Sequence, residues 1–339
     1  MRRTRPVVLA VFALLATATP AQRPLKVFIL AGQSNMEGKG AIKHLDTLIA
    51  DSETRASFAH LKEGDKWGER KDVWISYQRN KGPRMNTGLT VGYGSNKNKI
   101  GPELGFGHVV GDALKERVLI IKCAWGGASL KENFLSPGAG GPGSHYTRMM
   151  EETRDVLSNL KAYFPAHRGE YEVAGLVWFQ GWNDAVGKGN PRYTEQLAQF
   201  IRDVRKDLER PELPVVIGEL GQAGPNPTKK KPLTFREQQE AVAKLPEFKG
   251  TVRYVKTGVF IDPELPEMFE VWRKCQGKAR KAKDPETKKA AWADFEPLKA
   301  KWESKASDRP YHYYGSGRTF YLMGDAFGRA MVALLAKPQ

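Results

Sequence analysis

Short, nearly continuous apolar runs alternate with helix-length segments through most of this chain, and that alternation constrains the fold more than any other feature. The runs are Lys26–Ala31, Val118–Ile121, Val173–Phe179, Pro214–Gly218 and Val252–Val259. Between them, 146–164, 193–208 and 235–245 read as helices, and 320–335 closes the chain as another. In the second of these, Leu197, Phe200, Ile201, Val204 and Leu208 recur at helical spacing. Strands that are apolar throughout, rather than alternately, are buried on both faces. Their alternation with helices predicts an α/β protein: three α/β/α layers around a mainly parallel central sheet. In such folds ligands sit beyond the carboxyl ends of the strands.

Two stretches break the rhythm. Residues 60–102 are rich in Gly, Asn, Lys and Trp and read as a long surface loop or small insertion, placed at about 60–100. Residues 263–307 are dense in Lys, Glu and Ala, with Trp272, Trp292, Phe295 and Trp302 spaced through them and Pro285 and Pro297 interrupting them. They predict a helical insertion. Its tryptophans either bury the inner face of the insertion or form a lid or sugar-stacking platform. No Gly/Ser or Pro linker divides the chain, so residues 22–339 are read as one domain carrying both insertions.

The first 21 residues have the pattern of a secretory signal peptide. A basic Met1–Arg5 leads into the apolar run Val7–Ala16 and then a small-residue zone ending at Ala21. The apolar part is too short to span a bilayer. The expectation is a secreted or periplasmic protein with no stable membrane insertion after cleavage. The net charge of +16 favours acidic polymers in general. No basic motif with interleaved aromatics accompanies it, so nucleic acid is not the expected partner. The two cysteines, Cys123 and Cys275, are too few for a disulfide scaffold or a cysteine metal site. An exported protein could bridge them, or Cys123 could be a buried thiol at a strand end.

Four segments carry candidate chemistry. Gly32-Gln33-Ser34-Asn35-Met36 puts a hydroxyl on a sharp turn after a strand, where a base could activate it. Cys123-Ala124-Trp125-Gly126-Gly127 also follows a strand, and paired glycines leave backbone N–H groups open to a developing oxyanion. Gln180-Gly181-Trp182-Asn183-Asp184 follows a third strand and offers the Asn183 amide as another donor. Asp308-Arg309-Pro310-Tyr311-His312 precedes the last helix. His312 has the chemistry of a general base.

Taken in this order, the four segments resemble the blocks of the SGNH hydrolases. The Gly-Gln-Ser-Asn-Met form is similar to the sialate O-acetylesterase and acetylxylan esterase branch (carbohydrate esterase family 6-like). Gly101-Pro102-Glu103-Leu104-Gly105-Phe106-Gly107 adds to that likeness. The resemblance spans 26–40, 101–130, 173–184 and 308–330 and implies a flavodoxin-like three-layer fold. It implies Ser34 as nucleophile and His312 as base. It implies an oxyanion hole from the N–H groups of Ser34 and Gly127 (or Gly126) and the Asn183 amide. Gln33, Gln180 and Trp182 would contact substrate.

The chain departs from this branch in two places. The third segment carries Trp182-Asn183-Asp184 where the branch usually reads Glu-Ser-Asp. The triad acid usually lies three residues before the histidine, and Arg309 occupies that position. Asp308 lies four before. It could orient His312, as could a backbone carbonyl or another acid such as Asp184. The implied function is a secreted serine esterase that removes O-acetyl groups from carbohydrate, with no metal or organic cofactor. A non-catalytic carbohydrate-binding protein on the same fold, and a general carboxylesterase or lipase, are the alternatives.

Overall fold

The computed structural model describes residues 23–336. The signal-peptide reading falls on residues 1–21, outside them. Seven strands form the central sheet. Their order across it is Val252–Val255, Val215–Gly218, Tyr171–Phe179, Leu25–Gly32, Val118–Ala124, Arg70–Tyr77 and Met85–Leu89. All neighbours pair in parallel except the last two strands, which form an antiparallel edge. The first strand of the chain therefore lies at the centre of the sheet, where it is paired on both sides.

The period-2 geometry of a strand sends its side chains to two separate cores. Val27, Ile29 and Ala31 face the core covered by helices 144–158, 193–207 and 230–243. Phe28 and Leu30 face the core covered by helices 103–114 and 317–335. All five side chains are fully buried, which explains why the run shows no polar alternation. The expected three-layer α/β/α arrangement is therefore the observed one.

The structure corrects the reading of 60–102. This stretch is not a loop outside the fold, because it supplies two strands of the central sheet, Arg70–Tyr77 and Met85–Leu89. Val73, Trp74, Ile75, Ser76 and Tyr77 are buried, and the Tyr77 hydroxyl donates to the Ala124 carbonyl at 3.1 Å. Residues 103–114, read only as a motif, form a helix. Helix 230–243 starts five residues before the predicted Phe235, inside the lysine run, while the predicted strand at 252–259 ends at Val255. The helical insertion is present as Glu264–Lys281, Pro285–Ala290 and Glu296–Lys305. Among the described residues no helix is long and apolar enough to cross a membrane. Cys123 and Cys275 are both buried and unpaired, and burial pushes the Cys123 thiol up.

Register places the site. Gly32 is level with Ala124 on one neighbouring strand and with Phe179 on the other. Three adjacent strands thus end side by side, and the Ser34, Gly126–Gly127 and Gln180–Asn183 segments all leave the sheet at its carboxyl end.

Candidate active site

Ser34 opens a four-residue helix, Ser34–Glu37, directly after the central strand. Gly32 makes the turn possible. A Cβ there would lie 2.1 Å from the Phe179 carbonyl oxygen, so no larger residue fits without moving the strand. Across from Ser34 the Trp125 N–H donates to the Gly32 carbonyl at 3.2 Å and draws the next loop in. A methyl placed on Gly126 would lie 4.0 Å from Ser34 Cβ, so this loop runs beside the hydroxyl. Gly127 follows with φ +78°, and its carbonyl accepts a hydrogen bond from Asn183 Nδ2 at 2.6 Å. The structure thus brings Ser34, Gly126–Gly127 and Asn183 together. One Asn183 N–H is engaged by Gly127, leaving the second for another acceptor.

His312 arrives from the far end of the chain. Asn35 Nδ2 donates to the Tyr311 carbonyl at 3.2 Å, which ties the residue after Ser34 to the residue before His312. His312 Nδ1 lies 3.1 Å from Asp308 Oδ2, and the Arg309 N–H donates to Asp308 Oδ1 at 2.7 Å. Burial alone would raise the Asp308 carboxyl. The hydrogen bond to His312, the Arg309 N–H and the nearby His312 and Lys99 charges outweigh it and hold the carboxyl below its ordinary value. Of the candidates for orienting His312, Asp308 is the one whose carboxylate lies within hydrogen-bonding distance of Nδ1. Asp184 is fully buried elsewhere. It accepts from the N–H groups of Leu130 and Lys131 at 2.7 and 3.2 Å, and from Gln180 and Asn190. It fixes the loop after Gly127.

The segment after His312 is held under backbone strain. Tyr313 and Tyr314 have φ of +49° and +58°, a region bulky residues rarely adopt. Such residues cost about 1–3 kcal/mol each unless their surroundings fix them. Here the Tyr313 hydroxyl accepts from the Gly221 N–H at 2.7 Å and lies 2.7 Å from Thr257 Oγ1. The Tyr314 ring packs edge-on to Phe269 and Trp302 of the helical insertion. The Tyr314 carbonyl accepts from the Ser307 and Asp308 N–H groups at 2.7 and 2.9 Å, closing the turn that brings Asp308 to His312.

A model described as carbohydrate esterase, sialic acid-specific acetylesterase matches residues 24–257. The chain belongs to this carbohydrate esterase family. A probable carbohydrate esterase of Arabidopsis thaliana is 25% identical over 208 residues, covering 57% of this chain and 68% of the plant protein. The X-ray structure of that Arabidopsis protein has 20% identity and a TM-score of 0.47, and covers 71% of this chain and 90% of its own. A carbohydrate acetylesterase from Xanthomonas citri has 17% identity and a TM-score of 0.47, and covers 70% of this chain and 51% of its own. Asp308 and His312 lie beyond the stretch that the carbohydrate esterase family model matches.

Of the predicted substrate contacts, Gln180 has its whole amide engaged within the protein. Gln33 and Gln180 are only 1% and 2% exposed. Gln33 Oε1 accepts from Gln180 Nε2 and the Gly181 N–H, at 3.2 and 3.1 Å. Gln180 Nε2 also donates to Asp184 and to the Ala128 carbonyl, and its Oε1 accepts from the Tyr193 hydroxyl at 3.2 Å. The Gln180 amide and Gln33 Oε1 thus stitch the strand ends together, while Gln33 Nε2 is not engaged in any of these bonds. Trp182 does reach the surface of the site, where its ring lies 5.4 Å from that of the exposed Tyr311.

Sequence reasoning missed a buried ion pair beneath this carbohydrate esterase's candidate nucleophile. Lys122 and Glu103 are both fully buried and lie 2.6 Å apart. Lys122 Nζ also donates to the carbonyls of Glu37 and Tyr93, at 2.9 and 2.7 Å. Burial pushes the ammonium below its ordinary value, opposed by Glu103. A lysine inside an otherwise apolar strand, with a glutamate in the 101–107 motif, was the available signal. Lys122→Met strands the Glu103 carboxylate and should destabilise the protein by about 3–5 kcal/mol, measured by urea denaturation. Wild-type stability in this variant would mean that the pair does not hold the Ser34 helix in place.

Proposed function

We propose that this family member is a serine esterase that removes O-acetyl groups from carbohydrate. The observation that carries the reading is the convergence of Ser34 with a His312–Asp308 pair through the Asn35–Tyr311 tie. In this mechanism His312 Nε2 takes the proton of Ser34 Oγ as that oxygen bonds to the acetyl carbon. The tetrahedral oxyanion is held by the N–H groups of Ser34 and Gly127 and by the Asn183 amide. Collapse breaks the carbon–oxygen bond to the sugar, and His312 returns the proton to the leaving hydroxyl. Water then attacks the acetyl-Ser34 ester, again with His312 as base, and releases acetate. Asp308 keeps the Nδ1 proton in place and supports the imidazolium. No step calls for a metal or an organic cofactor. Trp182 and Tyr311 provide aromatic faces at the rim, which suit a sugar. The leader-like pattern at 1–21 supports an exported enzyme, read as one domain over 22–339.

A fluorophosphonate probe tests the reading cheaply. The expected result is a stoichiometric adduct on Ser34, located by peptide mass spectrometry, together with acetate release from at least one acetylated glycan in a panel. An unlabelled Ser34 at high probe concentration would assign the chain to non-catalytic carbohydrate binding. A preference for long acyl chains would make it a general carboxylesterase or lipase.

A further inference from the structure

A cleft of about 1300 Å³ lies in the helical insertion rather than above Ser34. Trp272, Trp292 and Trp302 line it, and none of the three is fully buried. Trp272 is stacked on Phe269 at 5.5 Å and covered by the Arg309 guanidinium at 4.4 Å, so the ring surface left to the cleft is mainly that of Trp292 and Trp302. Burial of the insertion's inner face therefore accounts for only part of these two rings.

The polar lining is mixed in sign. Lys43, Lys289 and Lys299 stand among Glu286, Glu296 and Glu303, all solvent-exposed. Three cations balance three anions, in a protein whose net charge is +16. Flat apolar faces interleaved with charged hydrogen-bonding groups match a pyranose ring, which has apolar C–H faces and a hydroxyl perimeter. The volume exceeds the roughly 300–1,000 Å³ of ordinary small-molecule pockets and suits a chain of several sugars.

The cleft is continuous with the candidate catalytic loop. Ser307, the residue before Asp308, is in its wall. The Arg309 guanidinium sits 4.4 Å over the Trp272 ring, and Trp302 packs against Tyr314 at 6.1 Å. Apart from Lys43, the residues that line it lie outside residues 24–257, the stretch matched by the family model.

We propose that this cleft is a saccharide subsite for a neutral oligosaccharide, holding the part of the glycan that extends away from the sugar deacetylated at Ser34. The assignment of that chain as substrate rests on the esterase reading, whereas binding in the cleft can be tested without turnover. The full-length Ser34→Ala protein is titrated with neutral xylo-, cello-, manno- and galacto-oligosaccharides, acetylated and unacetylated, while tryptophan emission is followed. At least one oligomer should shift the emission, and Trp292→Ala should weaken its binding about tenfold, as expected for loss of an aromatic anchor.

In the Ser34 background, Trp292→Ala should raise KM for the acetylated oligomer and leave kcat/KM for p-nitrophenyl acetate unchanged. Lys299→Met and Glu296→Gln, both exposed, supply the same readout should Trp292→Ala fail to fold. No response to any neutral oligomer would overturn the proposal. So would tighter, salt-sensitive binding of oligogalacturonate, or concentration-dependent self-association abolished by Trp292→Ala. Absence of acetyl-ester hydrolysis by the protein with Ser34 intact would refute the esterase reading alone and leave the binding result standing.

Discussion

Ser34→Ala is expected to reduce acetyl-ester hydrolysis by about 10⁴–10⁶ in kcat, the scale seen when a serine nucleophile is removed from a working triad. The substitution deletes one oxygen from a site with little room for compensation. Ser34 is 8% exposed, its helix is only four residues long, and Gly126 runs directly beside it. The Ser34 N–H, the Gly127 N–H and the Asn183 amide all survive the change. The residual rate should therefore remain above that of water alone, by the share that oxyanion binding supplies. Thermal stability should scarcely change, because no hydrogen bond that holds the fold depends on this hydroxyl in the described structure. Activity is read with p-nitrophenyl acetate and by acetate release from glycan, with circular dichroism as the folding control. Near-wild-type turnover in a folded Ser34→Ala protein would remove Ser34 from the mechanism.

The central strands were legible because they are buried on both faces and therefore continuously apolar. Arg70–Tyr77 escaped notice for the opposite reason. Its first three residues are Arg70, Lys71 and Asp72, a buried Ser76 interrupts the apolar part, and its partner Met85–Leu89 is a half-exposed edge. Helix 103–114 was hidden by Gly105, Gly107 and Gly111, which are poor helix formers. At Gly105 the cause is tertiary, since a Cβ would lie 2.2 Å from the Tyr321 carbonyl of the last helix.

At the site, the chain order of Ser34, Gly127, Asn183 and His312 was readable, and the register of three strand ends brings the first three together. The role of Gln180 was not. A polar residue at a strand end can face substrate or a neighbouring strand, and only the fold decides which. The Asp308–His312 contact depends on a turn through left-handed Tyr313 and Tyr314. Tyrosine has no propensity that would announce such a turn. It is imposed by partners on four distant segments: Gly221, Thr257, Phe269 and Trp302.

That turn makes Asp308→Asn the decisive substitution behind the histidine. An asparagine keeps the shape but presents an N–H donor to Nδ1 and favours the wrong tautomer. The expected loss is up to about 10⁴ in kcat. The wild-type pH profile should distinguish the two groups. Asp308 is held below its ordinary carboxylate value, so it is ionised throughout the range in which an imidazole titrates. The acid limb of the rate profile in that range should therefore carry no contribution from Asp308. The same depression sets the sign for stability. Asp308 contributes stability that is fully present above its unfolded value, about 3.9, and is lost as pH falls through the folded one. Asp308→Asn should lack this contribution at neutral pH and show a correspondingly smaller loss of stability on acidification, measured by urea denaturation across the acid range. A folded Asp308→Asn protein with near-wild-type kcat would transfer the orienting role to a backbone carbonyl and reduce the site to a Ser34–His312 dyad.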